Sequence, residues 1–379
     1  MNALLEQVTT YCHSFGFSLV GFTTPADMQF FPVYQKWIAD GCQAGMQYLA
    51  GERALFQRRS PRNVMPNCQS ILVLAYPYLT KIFSDQEAEE HFPSVAAYAC
   101  LEDYHLFLPP LLEKIVQFIQ SQVAYPLQSR ILTDSGPLLE RELAYRAGLG
   151  WIGKNSCLIN QEHGSFFFLA EILLDMPLDE PESNPAHPSD RCGTCQRCID
   201  ICPTQCIRND RTLDARKCIS YLTIENKGEI PLSLRPMIGE HLFGCDLCQQ
   251  VCPWNRKALA ASKKIAYLQF LLEYFYKPQP SRILNEMEFN QKFHSSPISR
   301  AKRRGLYRNL AVVLGNRKNP RNVPTLLALL NDTDALVRQH AVWGLGCFLS
   351  DMVRFRLQEA LQVEKDETVL LEIRRVLSQ

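Results

Sequence analysis

The sequence lacks the marks of an exported or membrane-embedded protein. Its first 17 residues, MNALLEQVTTYCHSFGF, contain no basic start followed by an apolar run, so they do not resemble a signal peptide. Nowhere does an apolar stretch approach the ~18 residues that a membrane-spanning helix needs. The 15 cysteines are odd in number, which in a chain without an export signal favours reduced thiols and metal ligation over disulfides. We therefore expect a cytosolic protein.

Two further shortages concern histidine and acidic residues. The eight histidines, His105 among them, show no spacing typical of metal ligands, so we interpret them as ordinary structural residues. Acidic residues are absent between Glu288 and Asp332, although the net charge of the chain is only +1. The basic residues in that interval are Lys292, Arg300, Lys302, Arg303, Arg304, Arg308, Arg317, Lys318 and Arg321. A block of one sign predicts a polyanionic partner, most often a phosphate backbone; the alternative is a solvated helix face.

Cysteines are concentrated in two runs, CGTCQRCIDICP from Cys192 and CDLCQQVCPW from Cys245. The first run is spaced C-x2-C-x2-C-x3-C-P, as in bacterial ferredoxins, where the cysteine before the proline ligates the other cluster. We predict one four-iron cluster at Cys192, Cys195, Cys198 and Cys252. Two structural zinc sites are the alternative, which two interlocked runs that both end in Cys-Pro disfavour.

The second cluster is one ligand short under the same rule. Leu242 occupies the place of its first cysteine, and Cys218, between the two runs, is the obvious substitute. We predict this cluster at Cys202, Cys218, Cys245 and Cys248. The spacing does not require Cys206, four residues after Cys202, so we leave it out of the ligand set.

Three segments follow one another along the chain. Residues 1–180 alternate helical and strand patterns, which predicts an α/β domain with a central sheet. Candidate strands are Ser18–Phe22, Ile71–Tyr76, Arg130–Thr133 and Ser165–Leu174, and candidate helices are Leu4–Phe15, Leu111–Val123 and Pro137–Ala147. A proline-rich stretch, residues 176–190, reads as a linker to the cysteine-rich segment at 181–260.

Residues 261–379 have a helical pattern throughout. The run VPTLLALLNDTDALVRQHAVWGLGCFL, residues 323–349, has the order of a HEAT-like helical hairpin: an apolar helix, an Asn-Asp turn and a second helix. Residues 298–314 and 355–377 look like weaker neighbouring repeats. Two or three repeats are too few for a free-standing solenoid. We therefore expect them to dock on the rest of the chain.

The segment DSGPLLERELAYRAGLGWIGKNSCLI places Asp134 where a strand gives way to a helix. Asp134 could act as a proton donor at such a strand end, provided that burial raises its pKa. A turn or helix-cap aspartate is the alternative. Gly148, Gly150 and Gly153 would let the backbone approach a ligand or simply form turns. The charged run Glu140, Arg141 and Glu142 is typical of helix surface pairs.

Together these motifs resemble the epoxyqueuosine reductase family. The stretches that carry the resemblance are YACLEDYH, DSGPLLERELAYRAGLGWIGKNSCLI, GSFFFLAEILLD, DARKCISYLTIE, FGCDLCQQVCPWN and the first cysteine run, within residues 50–260. The C-terminal repeats match the family's HEAT-like domain as well. Cys100, Leu101 and Glu102, before DYH, depart from the family pattern, as does Cys206, and none of these is a predicted cluster ligand.

The resemblance implies a fold, an activity and its cofactors. The first domain would be cobalamin-binding, like that of reductive dehalogenases, on a nitroreductase-like core; a ferredoxin-like two-cluster domain and a HEAT-like tRNA-binding domain would follow. An unidentified electron donor would supply electrons to two 4Fe-4S clusters, and the clusters would feed single electrons to cobalamin. The epoxide of epoxyqueuosine in tRNA would be reduced to an alkene, its oxygen leaving as water, with Asp134 as the proton donor. No histidine motif for cobalamin exists here, so this cofactor rests on the resemblance.

Site residues also follow from the resemblance. The corrin would lie against Gln57, Ala97, Asp134, Leu158, Ser220, Glu225, Cys245 and Asp246. The anticodon stem-loop would be held, mostly through phosphates, by Arg303, Arg304, Arg308, Arg317, Lys318 and Arg321. We expect a monomer. The alternatives are a reductive dehalogenase acting on a small organohalide, which has no use for a basic helical tail, and a ferredoxin-like electron carrier, which leaves the first domain without a role.

Overall fold

A computed structural model describes residues 3–78, 80–81, 94–178, 189–261, 263–264 and 283–379. The chain forms two compact units. The first, here called the sheet unit, contains residues 1–80, 102–216 and 247–263; the second, the helical unit, contains residues 81–101, 217–246 and 264–379. Both units take residues from the cysteine-rich segment, and the expected domain bounds at 180 and 260 stay a prediction. Most of the proline-rich stretch, residues 179–188, lies outside the described residues.

The strands are short apart from two. They are β1 (Leu19–Thr23), β2 (Ser70–Pro77), β3 (Thr80–Lys81), β4 (Ser94–Val95), β5 (Ser129–Leu132), β6 (Trp151–Ile152), β7 (Leu158–Ile159), β8 (Phe167–Leu174), β9 (His241–Phe243) and β10 (Lys263–Lys264).

The helices range from single turns to five turns. They are α1 (Ala3–Ser14), α2 (Phe31–Ala39), α3 (Glu52–Arg59), α4 (Tyr104–Ser121), α5 (Glu140–Arg146), α6 (Arg197–Asp200), α7 (Ile219–Ile224), α8 (Leu247–Gln250), α9 (Arg256–Ala261), α10 (Glu286–Phe293), α11 (Lys302–Asn316), α12 (Val323–Leu329), α13 (Ala335–Gly346), α14 (Asp351–Val363) and α15 (Glu367–Leu377). Within the described ranges, no helix has the length and apolar character needed to cross a membrane.

The expected central sheet is present in the sheet unit. Its strand order is β1-β2-β8-β5, and every neighbouring pair is antiparallel. Residues 71–75 of β2 are all fully buried. Because successive side chains of a strand point to opposite faces, both faces of the sheet must be covered, as the unbroken apolar run indicated. All four candidate strands are confirmed, with bounds that differ from the predicted ones by one or two residues.

Two candidate helices have other bounds than the pattern suggested. Helix α4 begins seven residues before Leu111, because the Asp103 side chain caps it by accepting the main-chain N–H of His105. Pro109 and Pro110 therefore lie inside the helix and not at its entrance. Helix α5 begins three residues after Pro137, since the chain between β5 and α5 is a loop. The Asp103 cap lies outside the apolar pattern, whereas the start of α5 at Glu140 has no side-chain cap.

The helical unit stacks its hairpins as a HEAT-like pattern predicts. Helix α13 packs between α11 and α15, and their apolar faces share one core. Within the same unit, α11 also packs on β9 and α7, so the repeats cover residues 217–246. The expectation that the repeats would not stand free is confirmed for that segment.

Candidate active site

Asp134 lies just past the end of β5. Its φ of +53° falls in the left-handed region, which Asp tolerates better than most side chains. The predicted position at a strand end is thus confirmed. Its side chain is 56% exposed, however, so the carboxyl group is not buried as the proton-donor hypothesis required.

Two residues at the start of α4 surround the Asp134 carboxyl group. The Tyr104 hydroxyl donates a hydrogen bond of 2.5 Å to Oδ2 of Asp134, and Nε2 of His105 lies 3.7 Å from the same oxygen. Nδ1 of His105 is in turn 2.9 Å from Oδ1 of Asp103. The Tyr104 ring stacks on Phe168 of β8, with ring centroids 4.2 Å apart. A tyrosine, a histidine and two aspartates therefore converge at this edge of the sheet.

Tyr104 and His105 were not among the site residues predicted from the sequence. Our interpretation of His105 as an ordinary structural histidine considered only metal spacing, and metal spacing says nothing about a partner 29 residues further along. The available signal was the Asp-Tyr-His order itself, since Asp103 starts a helix and so presents the next two side chains at its first turn.

The interpretation of the charged run on α5 as surface pairs is wrong. Glu142 is 2% exposed, and its carboxylate accepts the main-chain N–H groups of Gln29 and Phe30 at 2.5 and 2.9 Å. Arg141 donates to the main-chain oxygen of Ser156. The Oε1 atom of Glu140 is buried and has no hydrogen-bond partner among the described residues. Glu140 and Glu142 therefore face the protein, whereas Arg141 is exposed and bonds the main chain.

Glu171 is a second carboxyl group without partners. It lies on β8, an interior strand, opposite Val73 of β2 and Leu132 of β5. It is fully buried, and neither carboxyl oxygen has a hydrogen-bond partner in the described part of the chain. Burial without donors raises its pKa well above the usual range, and the nearby Glu140 and Asp134 raise it further. Burial without hydrogen-bond donors therefore favours the protonated form of Glu171.

Glu140 has a raised pKa for the same reasons. Burial raises it to about 8, and the charge of Asp134 adds to the shift. A hydrogen bond from the Asp134 main chain and the charges of Arg141 and Arg58 act in the opposite direction. The Glu140 carboxyl group is thus in direct contact with the Asp134 backbone and is mostly protonated at pH 7.

The glycines that follow α5 serve the packing of the chain. Gly148 has a φ of +79° and ends the helix. A Cβ atom on Gly150 would stand 2.2 Å from the main-chain oxygen of Ile159, and one on Gly153 would stand 2.5 Å from Cδ1 of the same residue. These glycines allow the close approach of β7, so turns and packing explain them.

The first predicted cluster set is brought together within the sheet unit. After burial, the charges of the Cys192, Cys252 and Cys195 thiols raise the pKa of Cys198, which places the four side chains near one another. Lys154 donates from Nζ to the main-chain oxygens of Gly193 and Cys195, at 2.8 and 3.0 Å, and so fixes the loop that carries the first two cysteines.

A four-iron cluster makes a different demand on these thiols than a single metal ion does. Among the residues that the structure describes, no three His, Cys, Asp or Glu side chains form a group that could hold a single metal ion. A four-iron cluster takes one thiolate at each of four separate irons, so its cysteines need not converge on one point.

The four cysteines predicted to hold the second cluster are divided between the two units. Cys202 and Cys248 belong to the sheet unit, and Cys218 and Cys245 belong to the helical unit. Cys206, which the spacing left out, has its Sγ atom 3.5 Å from that of Cys202. This ligand set stays a prediction. The departure at Leu242 has a plain cause, since that side chain is fully buried in the core of the helical unit.

The residues assigned to the corrin are also divided. Gln57, Asp134 and Leu158 lie in the sheet unit, and Ala97, Ser220, Glu225, Cys245 and Asp246 lie in the helical unit. Within the helical unit, the main-chain N–H of Ala97 donates to Asp246 at 2.6 Å, and the Ser220 hydroxyl donates to the main-chain oxygen of Cys245 at 3.4 Å. Leu158 is 3% exposed and belongs to the apolar core, so only its main chain could meet a ligand.

Two of the six predicted tRNA-binding residues are structural, which corrects the sequence analysis. Arg308 is fully buried, and its guanidinium group donates to the main-chain oxygens of Leu222, Asn226 and Gly228. Arg303 is 7% exposed and forms a bidentate ion pair with Asp332. Neither guanidinium group can reach a phosphate without breaking the core.

The other basic residues are better placed to meet a phosphate. Arg304, Lys318 and Arg321 are exposed, and so is Lys302 at the start of α11. Arg317 pairs with Glu240 at 3.0 Å, with its side chain only 12% exposed. Partial burial lowers the pKa of Lys227, the charge of Glu225 opposes this, and the cations Arg308, Lys302 and Arg304 add to the lowering. The exposed side chains of Lys227, Lys302 and Arg304 thus form a positive cluster with Glu225 nearby.

Family models match three parts of the chain. The model described as Epoxyqueuosine reductase QueG, DUF1730, matches residues 58–135, which include Asp134. A 4Fe-4S double cluster binding domain matches residues 191–255, so the cysteine-rich segment is of the type that holds two such clusters. HEAT repeats match residues 299–378, which confirms the helical pattern.

Whole-chain relatives agree with these models. The epoxyqueuosine reductase of Xanthomonas campestris is 41% identical over 320 residues, which cover 82% of this chain and 87% of that protein. A solved epoxyqueuosine reductase bound to an epoxyqueuosine-modified tRNA-Tyr stem loop is similar at 28% identity and a TM-score of 0.84, covering 98% and 97% of the two chains. The enzyme from Bacillus subtilis, solved with its catalytic aspartate loop swung out of the active site, has 28% identity and a TM-score of 0.83, with 98% of each chain covered. With whole-chain relatives of this kind, a double-cluster segment and HEAT repeats in one chain, this protein is an oxidoreductase that belongs to the epoxyqueuosine reductase family.

Proposed function

We propose that this protein reduces epoxyqueuosine to queuosine in the anticodon loop of tRNA, and that Asp134 is its proton donor. The observation that carries this proposal is the Asp134 carboxyl group at the end of β5, held by Tyr104 and His105, in a chain of this family. A relative binds a tRNA stem loop that bears the same modified base, and another has a catalytic aspartate loop.

The chemistry requires an acid. As the carbon–oxygen bonds of the epoxide break, negative charge develops on the oxygen, and a proton delivered there lowers the barrier. The Tyr104 hydroxyl and His105 fix the orientation of the Asp134 carboxyl group, so that a loop residue with an exposed side chain acts from a defined position.

Two 4Fe-4S clusters are the proposed source of single electrons. We assign Cys192, Cys195, Cys198 and Cys252 to one and Cys202, Cys218, Cys245 and Cys248 to the other. The proximity of the first four side chains supports that part of the assignment.

Cobalamin is the proposed cofactor that passes these electrons to the substrate. When bound, it supplies a reduced cobalt centre. The predicted contacts at Ala97, Ser220, Cys245 and Asp246 form a hydrogen-bonded set within the helical unit. The fit is best tested by the absorption spectrum of purified protein given cobalamin.

Phosphates of the tRNA are proposed to bind the positive cluster of Lys227, Lys302 and Arg304, with Lys318 and Arg321 as further contacts. Exposed cations of one sign attract a phosphate backbone and give affinity that falls with salt. Arg303 and Arg308 are not part of this surface.

One experiment tests the proposed function directly. The protein is reconstituted with iron, sulfide and cobalamin, supplied with a strong reductant and mixed with tRNA that carries epoxyqueuosine. Mass spectrometry of the digested tRNA should show queuosine, which is lighter than the substrate nucleoside by the mass of one oxygen atom. If fully loaded protein leaves the tRNA unchanged, the proposed function is wrong.

A further inference from the structure

The proposed reaction needs more protons than Asp134 can hold. Reduction of an epoxide to an alkene breaks both carbon–oxygen bonds, forms a C=C bond and releases the oxygen as water, which takes up two electrons and two protons. The electrons come from the external donor. A carboxylic acid carries one proton at a time, so Asp134 must be recharged within each turnover.

Two protonated carboxyl groups lie next to Asp134. Glu140 contacts the Asp134 main chain by a hydrogen bond, and Glu171 lies within electrostatic reach of both. A buried carboxylate without donors is unfavourable, because no group replaces the water that it loses. Three of the four oxygens of these glutamates are buried without a hydrogen-bond partner among the described residues. Their stable form at neutral pH is therefore the acid.

The packing around Glu140 and Glu171 does not explain why these two positions carry acidic side chains. Glu171 occupies an interior strand between Val73 and Leu132, in a face that is otherwise apolar. Replacing an unpartnered buried polar group by an apolar one of similar size is neutral or stabilising. Glu142, two residues after Glu140, shows the contrast, because its two oxygens accept main-chain N–H groups and so serve the fold.

We propose that Glu140 and Glu171 form a buried proton store that recharges Asp134. Once Asp134 has given its proton to the substrate oxygen, Glu140 supplies the second proton to Asp134, and Glu171 restores the proton on Glu140. Asp134 then delivers this second proton, so each turnover leaves Asp134 and Glu171 deprotonated, and solvent returns one proton to each of them before the next turnover. This inference rests on the proposed function, in which Asp134 is the acid.

The proton store should lose its protons above a defined pH. The charge of Asp134 favours the protonated form of Glu140, and the charges of Arg141 and Arg58 oppose it. The other titratable neighbour is Glu171, which is itself held in its uncharged form. Its pKa of about 8 lies above the ordinary value, so it is loaded below pH 8 and empties as the pH rises through that value. The turnover rate of the parent enzyme should fall over the same interval.

The test uses Glu140→Gln, Glu171→Gln and Glu171→Leu in fully loaded enzyme with epoxyqueuosine tRNA. Glutamine keeps the size and the acceptor for the Asp134 N–H but cannot deliver a proton. Glu140→Gln should slow even the first turnover by ~10²-fold, the usual worth of an acid–base group, and abolish the fall near pH 8. Both Glu171 variants should complete the first turnover at the parent rate and slow only later ones. Glu171→Leu should melt no lower than the parent.

Glu142→Gln is the matched control, as a buried glutamate of the same helix outside the store. It should lower the melting temperature but leave the rate and pH profile of folded enzyme unchanged. Infrared spectra of the parent without substrate should show carbonyl bands of protonated carboxylic acids that Glu140→Gln and Glu171→Gln each reduce. Parent-like rates in every turnover of Glu140→Gln and Glu171→Leu, or ionised glutamates at pH 7, would overturn the proposal. A parent that makes no queuosine would instead refute the proposed function, while the infrared bands would still decide whether the store exists.

Discussion

At the scale of single residues, surroundings decide what a glutamate does. Glu142 binds two main-chain N–H groups just before α2, whereas Glu140 and Glu171 have buried oxygens without partners among the described residues, which favours their protonated forms. The exposed Asp134 differs again, because the Tyr104 hydroxyl and His105 orient it from outside the core. The same functional group thus serves folding, proton storage and proton delivery.

Asp134→Asn separates the proton-donor role from the turn-cap role. Asparagine tolerates the left-handed φ and keeps much of the hydrogen bonding, but it cannot deliver a proton. We expect normal iron, cobalamin and tRNA binding, and formation of queuosine in a single turnover that is slower by ~10²-fold or more. Asp27→Asn, an exposed aspartate of the same unit, is the control and should react at the parent rate. A near-parent rate for Asp134→Asn would remove Asp134 from the mechanism.

At the scale of elements, helix α11 shows two kinds of basic residue. Arg308 and Arg303 point into the helical unit, where three main-chain oxygens and a carboxylate satisfy them. Lys302 and Arg304 lie on the exposed side of the same helix. The charge block in the sequence therefore contains both a structural and a surface component.

The double variant Lys302→Ala/Arg304→Ala tests the surface component. We expect weaker tRNA binding and a dependence of log K on log salt that is shallower by about 1 for each phosphate that the protein no longer neutralises. Arg356→Ala/Arg374→Ala removes the same charge from exposed positions on α14 and α15 and should leave the salt slope unchanged. Binding curves over a range of salt concentrations decide, and equal slopes in the two double variants would reduce the charge block to a solvated face.

Arg308→Ala tests the structural component. It leaves the main-chain oxygens of Leu222, Asn226 and Gly228 without their donor and opens a cavity beside α7. We expect the helical unit to lose about 3 kcal/mol of unfolding free energy, within the range for a broken buried charge network. Arg304→Ala, one turn earlier and exposed, should unfold like the parent. Denaturant titration of both variants provides the comparison, and a stable Arg308→Ala protein would contradict the assignment.

At the scale of the whole molecule, the cysteine-rich segment belongs to both units. The first predicted ligand set lies entirely in the sheet unit, and the second takes two cysteines from each unit. Loss of a ligand from the second set should therefore affect one cluster and leave the other in place.

Iron and sulfide analysis after anaerobic reconstitution tests the second set. Cys218→Ala should retain about half of the iron, because a four-iron cluster without its fourth thiolate is labile. Cys206→Ala is the matched control and should retain all of it, although its sulfur lies 3.5 Å from that of Cys202. The reverse pattern, with iron lost from Cys206→Ala alone, would exchange the two residues in the ligand set.

Features that depend on residues near one another in sequence were predictable. The cysteine spacing, the apolar runs of β2 and β8, and the helical repeats after residue 298 each carry their own periodicity or motif. Asp134 could be placed at a strand end for the same reason. The helix start at Asp103 was missed because a cap is a single side chain that no periodicity records. The start after Pro137 was missed because the loop before α5 ends without a side-chain cap.

Burial of charged groups was decided only by the tertiary structure. Arg308 finds its acceptor at Asn226 across 82 residues, and Tyr104 meets Asp134 across 30. Glu171 is buried because β2 and β5 flank it, and its own segment gives no sign of that. The sequence by itself therefore determined the family and most of the secondary structure, since these follow from local order, and it predicts the first cluster set from cysteine spacing. Which charges face water, and which carboxyl groups keep their protons, follows from contacts between distant segments that fix the local dielectric and the available donors.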